Sequence, residues 1–135
     1  MKILISGGCG YIGSVLCHLL SREKINYAVI DNLTNSSVKN LPKNSNFYYG
    51  SIQNINVLKK IYKEFNPTHI IHLAASIDVN ESEKKKKKYF KNNVLNSKKF
   101  LDFYISSGVK NIFFSSTAAV YSYDKNKIKE DDITK

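Results

Sequence analysis

The first fourteen residues, MKILISGGCGYIGS, run an apolar segment directly into a glycine-rich loop, and an acidic residue, Asp31, closes the next apolar run. That order constrains the fold more than any other feature of the chain. Lys2 to Ser6 predicts a buried strand, and the glycines follow as Gly7-x-x-Gly10-x-x-Gly13, with Gly8-x-Gly10-x-x-Gly13 overlapping. Glycines so spaced permit a tight turn, let backbone N–H groups approach a pyrophosphate, and at Gly13 let the following helix pack closely on the strand. At Gly10 a side chain is expected to fill space that the phosphates need and to meet an unfavourable φ. The helix N-terminus adds the positive end of its dipole. Asp31 ends Tyr27-Ala-Val-Ile-Asp31, 18 residues after Gly13. A carboxylate there suits the hydroxyls of an adenosine ribose. Strand, loop, helix, strand and acid in sequence predict a dinucleotide-binding start.

The rest of the chain repeats the alternation. Periodicity and turn signals predict strands at 2–6, 27–31, 46–49, 69–73 and 110–116, and helices at 11–22, 55–65 and about 84–107, with a polar loop from Asn32 to Asn44. Strands alternating with helices imply a doubly wound parallel sheet of α/β class with helices on both faces. Phe90, Val94, Leu101, Tyr104 and Ile105 recur at helical spacing along the last helix, which predicts that they are core, and Gly108 stops it. Residues 1–122 form the expected dinucleotide-binding portion. Residues 123–135 are a charged tail without periodicity.

Composition narrows the function. A hydrophobic fraction of 42% in 135 residues supports one packed domain. No apolar run approaches the ~20 residues of a membrane span, and no signal-peptide pattern opens the chain. A cytoplasmic setting is therefore expected, with no membrane partner. Cys9 and Cys17 have neither metal-ligand nor disulfide-framework spacing, so both read as free thiols and no metal is expected. The net charge of +10 includes an unbroken run from Lys84 to Lys88. No aromatic-rich strand accompanies the lysines, which read as a solvated helix start and not as a nucleic-acid surface. His18, His69 and His72 are solitary and read as packed or surface imidazoles.

In open α/β sheets the ligand lies beyond the carboxyl ends of the strands. Asp31 and the short polar residues Asn32, Asn35 and Ser36 after it suit a ribose. Ser51 and Ile52 follow the third strand and suit the adenine edge. Leu73, Ala74 and Ala75 end the fourth strand with side chains small enough for close approach. Ser115, Ser116 and Thr117 place three hydroxyls after the fifth strand, where reacting groups should meet.

These residues resemble the extended short-chain dehydrogenase/reductase group, and within it the UDP-glucose 4-epimerases. The resemblance runs from MKILISGGCGYIGS through VIDNLTNSS, IIHLAASIDVNES and YFKNNVLNS to VKNIFFSSTAAVYS. Related sugar-nucleotide dehydratases carry an Asp-Glu pair where this chain has Ala118 and Ala119, which argues against dehydration. The resemblance implies a Rossmann-type sheet of which the first five strands are present, and NAD as cofactor. It also implies a UDP-sugar substrate oxidised transiently at C4, and a homodimer in the full-length relatives. Carried over, Gly7, Gly10 and Gly13 form the phosphate loop, and Tyr11 and Ile12 meet the pyrophosphate through backbone N–H groups. Asp31 holds the ribose, Asn93 braces the cofactor region, and Thr117 is the catalytic hydroxyl on the sugar 4-oxygen. Ser51 stands where the family has an aspartate, and Ile77 where these epimerases have a lysine. Losing one such charged contact costs roughly 1.5 to 3 kcal/mol, up to about two orders of magnitude in affinity.

The general base that the resemblance implies is the tyrosine of a Tyr-x-x-x-Lys helix beyond Lys135, together with later strands and a substrate domain. Tyr121-x-x-x-Lys125 and Tyr123-x-x-x-Lys127 fit the letters alone. A helix sets such a pair about 6 Å apart, whereas an extended segment sets it about 13 Å apart, and both pairs lie just past a strand. The expectation is the NAD-binding part of a UDP-glucose 4-epimerase, inactive alone. The alternatives are another extended-family sugar-nucleotide epimerase or reductase, and a catalytically inactive NAD-binding fragment.

Overall fold

The computed structural model describes residues 1–117, 120, 121 and 129–131. Five strands, β1 (Lys2–Ser6), β2 (Asn26–Asp31), β3 (Asn46–Tyr49), β4 (His69–His72) and β5 (Asn111–Phe114), form one parallel sheet in the order β3-β2-β1-β4-β5. The chain moves outward through β2 and β3 on one side of β1 and then through β4 and β5 on the other. The strand order therefore reverses between β1 and β4, where doubly wound sheets leave a crevice at the strand ends.

Alternation along the strands divides the core in two. Ile3, Ile5, Tyr27 and Val29 face α1 (Tyr11–Arg22) through its Cys17 and Leu20. Leu4, Ala28, Ile30 and Ile70 face the opposite way. They meet Leu58, Ile61 and Phe65 of α2 (Ile55–Phe65), with Phe100 and Tyr104 from the last helix. The helix ends follow local chemistry. Asn54 caps α2, its side chain accepting from the N–H groups of Asn56 and Val57, and Asn66 ends it in the left-handed region at φ 51° before Pro67.

The helix expected over 84–107 is built differently. It begins earlier, as α3 (Val79–Lys84), where Asp78 accepts from the Glu81 N–H at 2.8 Å. It breaks at Lys85 and resumes as α4 (Lys86–Phe90), passes through a π turn (Lys91–Asn96), and ends as α5 (Ser97–Ser106). Glu81 splints the break: Lys85 Nζ donates to it at 2.9 Å, Lys88 Nζ at 2.8 Å and Tyr89 Oη at 3.0 Å. Lys88, Lys85 and Tyr89 together hold the Glu81 carboxyl down at about 2. The lysine run is therefore exposed, with two of its members engaged at the splint. The expected core also needs correction. Tyr104 is fully buried and Leu101 half-buried, but Phe90, Val94 and Ile105 are 58%, 47% and 54% exposed. A π turn takes one residue more per turn than an α-helix, so a stripe extrapolated at 3.6 residues per turn leaves the sheet. β4 and β5 are also shorter than expected, ending at His72 and Phe114.

His72 is the core's buried imidazole, 3% exposed and stacked on Phe100 at 5.2 Å. Burial pushes it down to about 4 from an ordinary 6.5. Between those values the unfolded chain binds a proton that the folded chain refuses, so this contribution to stability is full above about pH 6.5 and lost as pH falls toward 4. At 1.36 kcal/mol per unit the loss amounts to about 3 kcal/mol. Urea unfolding followed between pH 7 and 4.5 should show this slope, and His72→Phe should flatten it.

Candidate functional site

The carboxyl ends of all five strands lie level, and the turns after them form the site. Gly7 leaves β1 at φ +75°, and a Cβ there would stand 2.8 Å from the Ala74 nitrogen, so glycine is required on two grounds. At Gly13 a Cβ would fall 2.5 Å from the Gly7 carbonyl oxygen and 2.6 Å from the Gly8 Cα. The first turn of α1 thus rests on the loop backbone itself. Gly10 departs from expectation: its φ is −71°, open to any residue, and a Cβ would meet only the Gly7 oxygen at 3.4 Å. Gly10 is therefore unstrained, and the space in front of it is open. No side chain caps α1, Tyr11 and Ile12 point into solvent, and the first intrahelical bond is Ser14 N–H to Gly10 at 2.8 Å. The leading N–H groups of α1 therefore face outward, as an anion-binding helix start requires.

Asp31 ends β2 as a buried residue, 8% exposed. Oδ2 accepts from Cys9 N–H at 3.0 Å, and Oδ1 accepts from Leu33 N–H at 2.9 Å and Ser36 Oγ–H at 3.0 Å. The acid thus ties the glycine loop to the loop after β2. Asn32 turns that loop by accepting from Thr34 N–H at 3.1 Å, Asn35 is exposed, and Asn40 Nδ2 donates back to the Cys9 carbonyl at 2.9 Å. Burial first, then the neighbouring Asp31 carboxylate, pushes the Cys9 thiol up to about 12, and burial does the same to Cys17. Neither is a nucleophile near neutral pH.

Beyond β3, Ser51 is half-buried at the rim, but the Ile52 side chain belongs to the core at 6% exposure. Beyond β4, Leu73 packs inward, Ala74 lies against Gly7, and Ala75 is exposed. The π turn then does what periodicity does not foretell. Asn93 Oδ1 accepts from Ser76 N–H at 2.8 Å while its Nδ2 donates to the Ser76 carbonyl at 2.9 Å, and Asn92 Nδ2 donates to Ser76 Oγ at 3.1 Å. Asn93 thus ties the π turn to the loop after β4, and Asn92 joins it unforeseen, although the doubled asparagine is its signal. Ile77, next to the clamp, is 84% exposed.

Thr117 lies three residues past β5, exposed, and its carbonyl accepts from Val120 N–H at 3.4 Å. Tyr121 donates its hydroxyl to the Glu130 carbonyl at 3.3 Å. Ala118, Ala119, Tyr123, Lys125 and Lys127 lie outside the described residues, as does most of the 123–135 tail. Among the described residues no cluster of His, Cys, Asp or Glu could hold a metal ion, and no helix is long and apolar enough to cross a membrane.

Residues 3–135 match the model of the NAD dependent epimerase/dehydratase family. A UDP-glucose 4-epimerase of Yersinia enterocolitica is 40% identical over 128 residues, covering 90% of this chain and 38% of that protein. One of Klebsiella pneumoniae is 37% identical over 135 residues, covering 95% of this chain and 96% of that sequence. Among solved structures, a UDP-glucose 4-epimerase superposes with a TM-score of 0.92 at 32% identity, covering 100% of this chain and 41% of that one. The Thermus thermophilus UDP-glucose 4-epimerase in complex with NAD does so with a TM-score of 0.88 at 28% identity, covering 100% and 44%. Apart from the Klebsiella sequence, the chain spans about two fifths of the length of these relatives.

The loop geometry separates two glycines that look alike in the sequence. Gly7→Ala should lower stability by about 1–3 kcal/mol through φ strain and contact with Ala74. Gly10→Ala should stay within about 0.5 kcal/mol of the parent. Urea midpoints of the two variants check both.

Proposed function

The chain belongs to the NAD dependent epimerase/dehydratase family, and from that premise we propose that these residues are the dinucleotide-binding part of a UDP-glucose 4-epimerase, taking NAD as cofactor and a UDP-sugar as substrate. One arrangement supports the reading: the uncapped start of α1 after β1 and the Asp31 carboxylate at the end of the neighbouring β2 lie together at the carboxyl end of the sheet, beside the reversal of strand order. The residues present fit the group. The open volume in front of Gly10, which a side chain would fill, is of the kind a pyrophosphate takes.

Binding falls to main chain more than to side chains. The N–H groups of Tyr11 and Ile12 would meet the phosphates, with Gly7 and Gly13 letting the loop lie flat beneath them. Asp31 would accept from the ribose hydroxyls through lone pairs beyond its three internal bonds, flanked by Asn32, Asn35 and Ser36. Ser51 and the Ile52 main chain would border the adenine, and Leu73, Ala74 and Ala75 would form the floor, held in place by Asn93 on Ser76. When bound, NAD supplies a hydride acceptor and donor for the sugar C4. Thr117 would hydrogen-bond the sugar 4-oxygen and pass its proton, but an unassisted hydroxyl is a poor base at neutral pH. Ser51 and Ile77 carry no charge, so affinity depends on the loop and Asp31. The exposed apolar side chains Phe90, Val94, Leu95 and Ile105 support a homodimer. The free thiols at Cys9 and Cys17 fit a cytoplasmic location.

Cofactor choice tests Asp31. A 2′-phosphate would meet its carboxylate with no cation at Asn32 or Leu33, so NAD should bind the chain about tenfold or more tighter than NADP, a difference of about 1.4 kcal/mol. Asp31→Asn should narrow the gap; equal affinities for the parent would remove Asp31 from the ribose site. Conversion of UDP-glucose to UDP-galactose by these 135 residues alone should stay at background, and Tyr121→Phe should change nothing. Turnover abolished by Tyr121→Phe would make that tyrosine the base.

A further inference from the structure

Beneath the glycine loop runs a buried chain of polar side chains that the binding scheme leaves unused. Ser6 ends β1 and directly precedes Gly7; His72 ends β4; Ser97 opens α5 directly after the π turn. They are 0%, 3% and 4% exposed. Ser6 Oγ lies 2.6 Å from His72 Nδ1, and Ser97 Oγ lies 2.9 Å from His72 Nε2. Ser97 Oγ in turn reaches the Asn92 carbonyl, inside the π turn, at 3.5 Å.

Counting protons fixes the direction of this chain. With the imidazole proton on Nε2, Ser6 donates to Nδ1, Nε2–H donates to Ser97, and Ser97 donates to Asn92, so every buried donor has an acceptor. With the proton on Nδ1, Ser6 loses its acceptor and keeps a buried hydroxyl hydrogen without a partner. A charged ring has the same fault, and among the described residues no carboxylate pairs with it. The rings of Phe100 and Phe114 hold the imidazole at 5.2 and 5.4 Å, and the His72 carbonyl accepts from Ser115 N–H at 3.2 Å. One residue therefore touches the strand that enters the glycine loop, the strand that leads to Thr117, and the turn that carries the asparagine clamp.

We propose that His72 is a positioning residue whose one-directional relay, Ser6 to His72 to Ser97, sets the π turn against the sheet and thereby holds the Asn92 and Asn93 clamp on Ser76. Its effect on a cofactor rests on the dinucleotide-binding reading; its effect on the clamp does not. The relay acts by fixing the height of the π turn over the ends of β1 and β4, so that Asn93 meets both backbone groups of Ser76 at once.

Nitrogen-15 spectra of the imidazoles in the unmodified chain at pH 7 should show His72 neutral, with its proton on Nε2; a proton on Nδ1 or a charged ring overturns the proposal. In Ser97→Ala, the Nε2–H loses its acceptor. Hydrogen exchange at the Ser76 amide and across 91–97 should then accelerate about tenfold or more, while α2 keeps its protection. Unchanged exchange at Ser76, or acceleration spread evenly over the chain, overturns it as well. Asn93→Ala should release the Ser76 amide while leaving the His72 proton on Nε2, which places the relay upstream of the clamp; a shifted proton would reverse that order and overturn it. NAD titration of Ser97→Ala should show several-fold weaker binding. If the parent chain binds no NAD, the dinucleotide reading fails, while the imidazole spectra and Ser76 exchange still decide the relay.

Discussion

Under the loop after β1, two stretches of backbone meet with no room for a methyl group. The first turn of α1 sits on Gly7 and Gly8 so closely that a Cβ at Gly13 would fall 2.5 Å from a carbonyl oxygen. Gly7 makes the same kind of contact with Ala74 across the strand reversal. These approaches set the height of α1 over the sheet, and the direction of its N-terminus follows. The helix that presents its free N–H groups to solvent is therefore aimed by sterics, with no polar contact of its own needed to hold it.

Asp31 works from the other side. A buried carboxylate is costly unless donors surround it, and here the donors come from Cys9, Leu33 and Ser36, on two different loops. The same residue that the family resemblance assigns to a ribose is already the knot between those loops. On the proposed reading, structure and recognition are thus drawn from one side chain, and substituting it disturbs both. The Asn93 clamp has a different division of labour. Both the oxygen and the nitrogen of its side-chain amide are spent on Ser76, so it shapes the loop after β4 from behind.

Much of this is legible in the sequence where local rules suffice. The bounds of β1, α1, β3 and α2 follow from apolar runs, glycines, Asn54 and the Asn66-Pro67 turn, all of which act within a few residues. The long helix escapes such a reading because its periodicity assumes a constant 3.6 residues per turn, and no single residue between Lys91 and Asn96 announces a π turn. The three donors to Asp31 and the partners of His72 are invisible for another reason. Cys9 and Asp31, or Ser6 and His72, become neighbours only through strand register, which a pattern read along the chain does not contain. Gly10 shows the limit from the opposite direction: the motif marks it like Gly7, yet its backbone is ordinary.

The π turn has one more consequence. Each residue of an α-helix advances the side chain by about 100° around the axis, and the π turn absorbs one residue beyond that rhythm. It acts as a phase shift between two helical segments. Within its opening residues, Asn92 and Asn93 look toward the loop after β4; downstream, Phe100 and Tyr104 look into the sheet. Deleting a single residue from 91–96 would restore regular winding and rotate one segment relative to the other, so either the clamp or the core would lose its register. The apparent irregularity is the gearing that lets one continuous stretch of chain serve two faces.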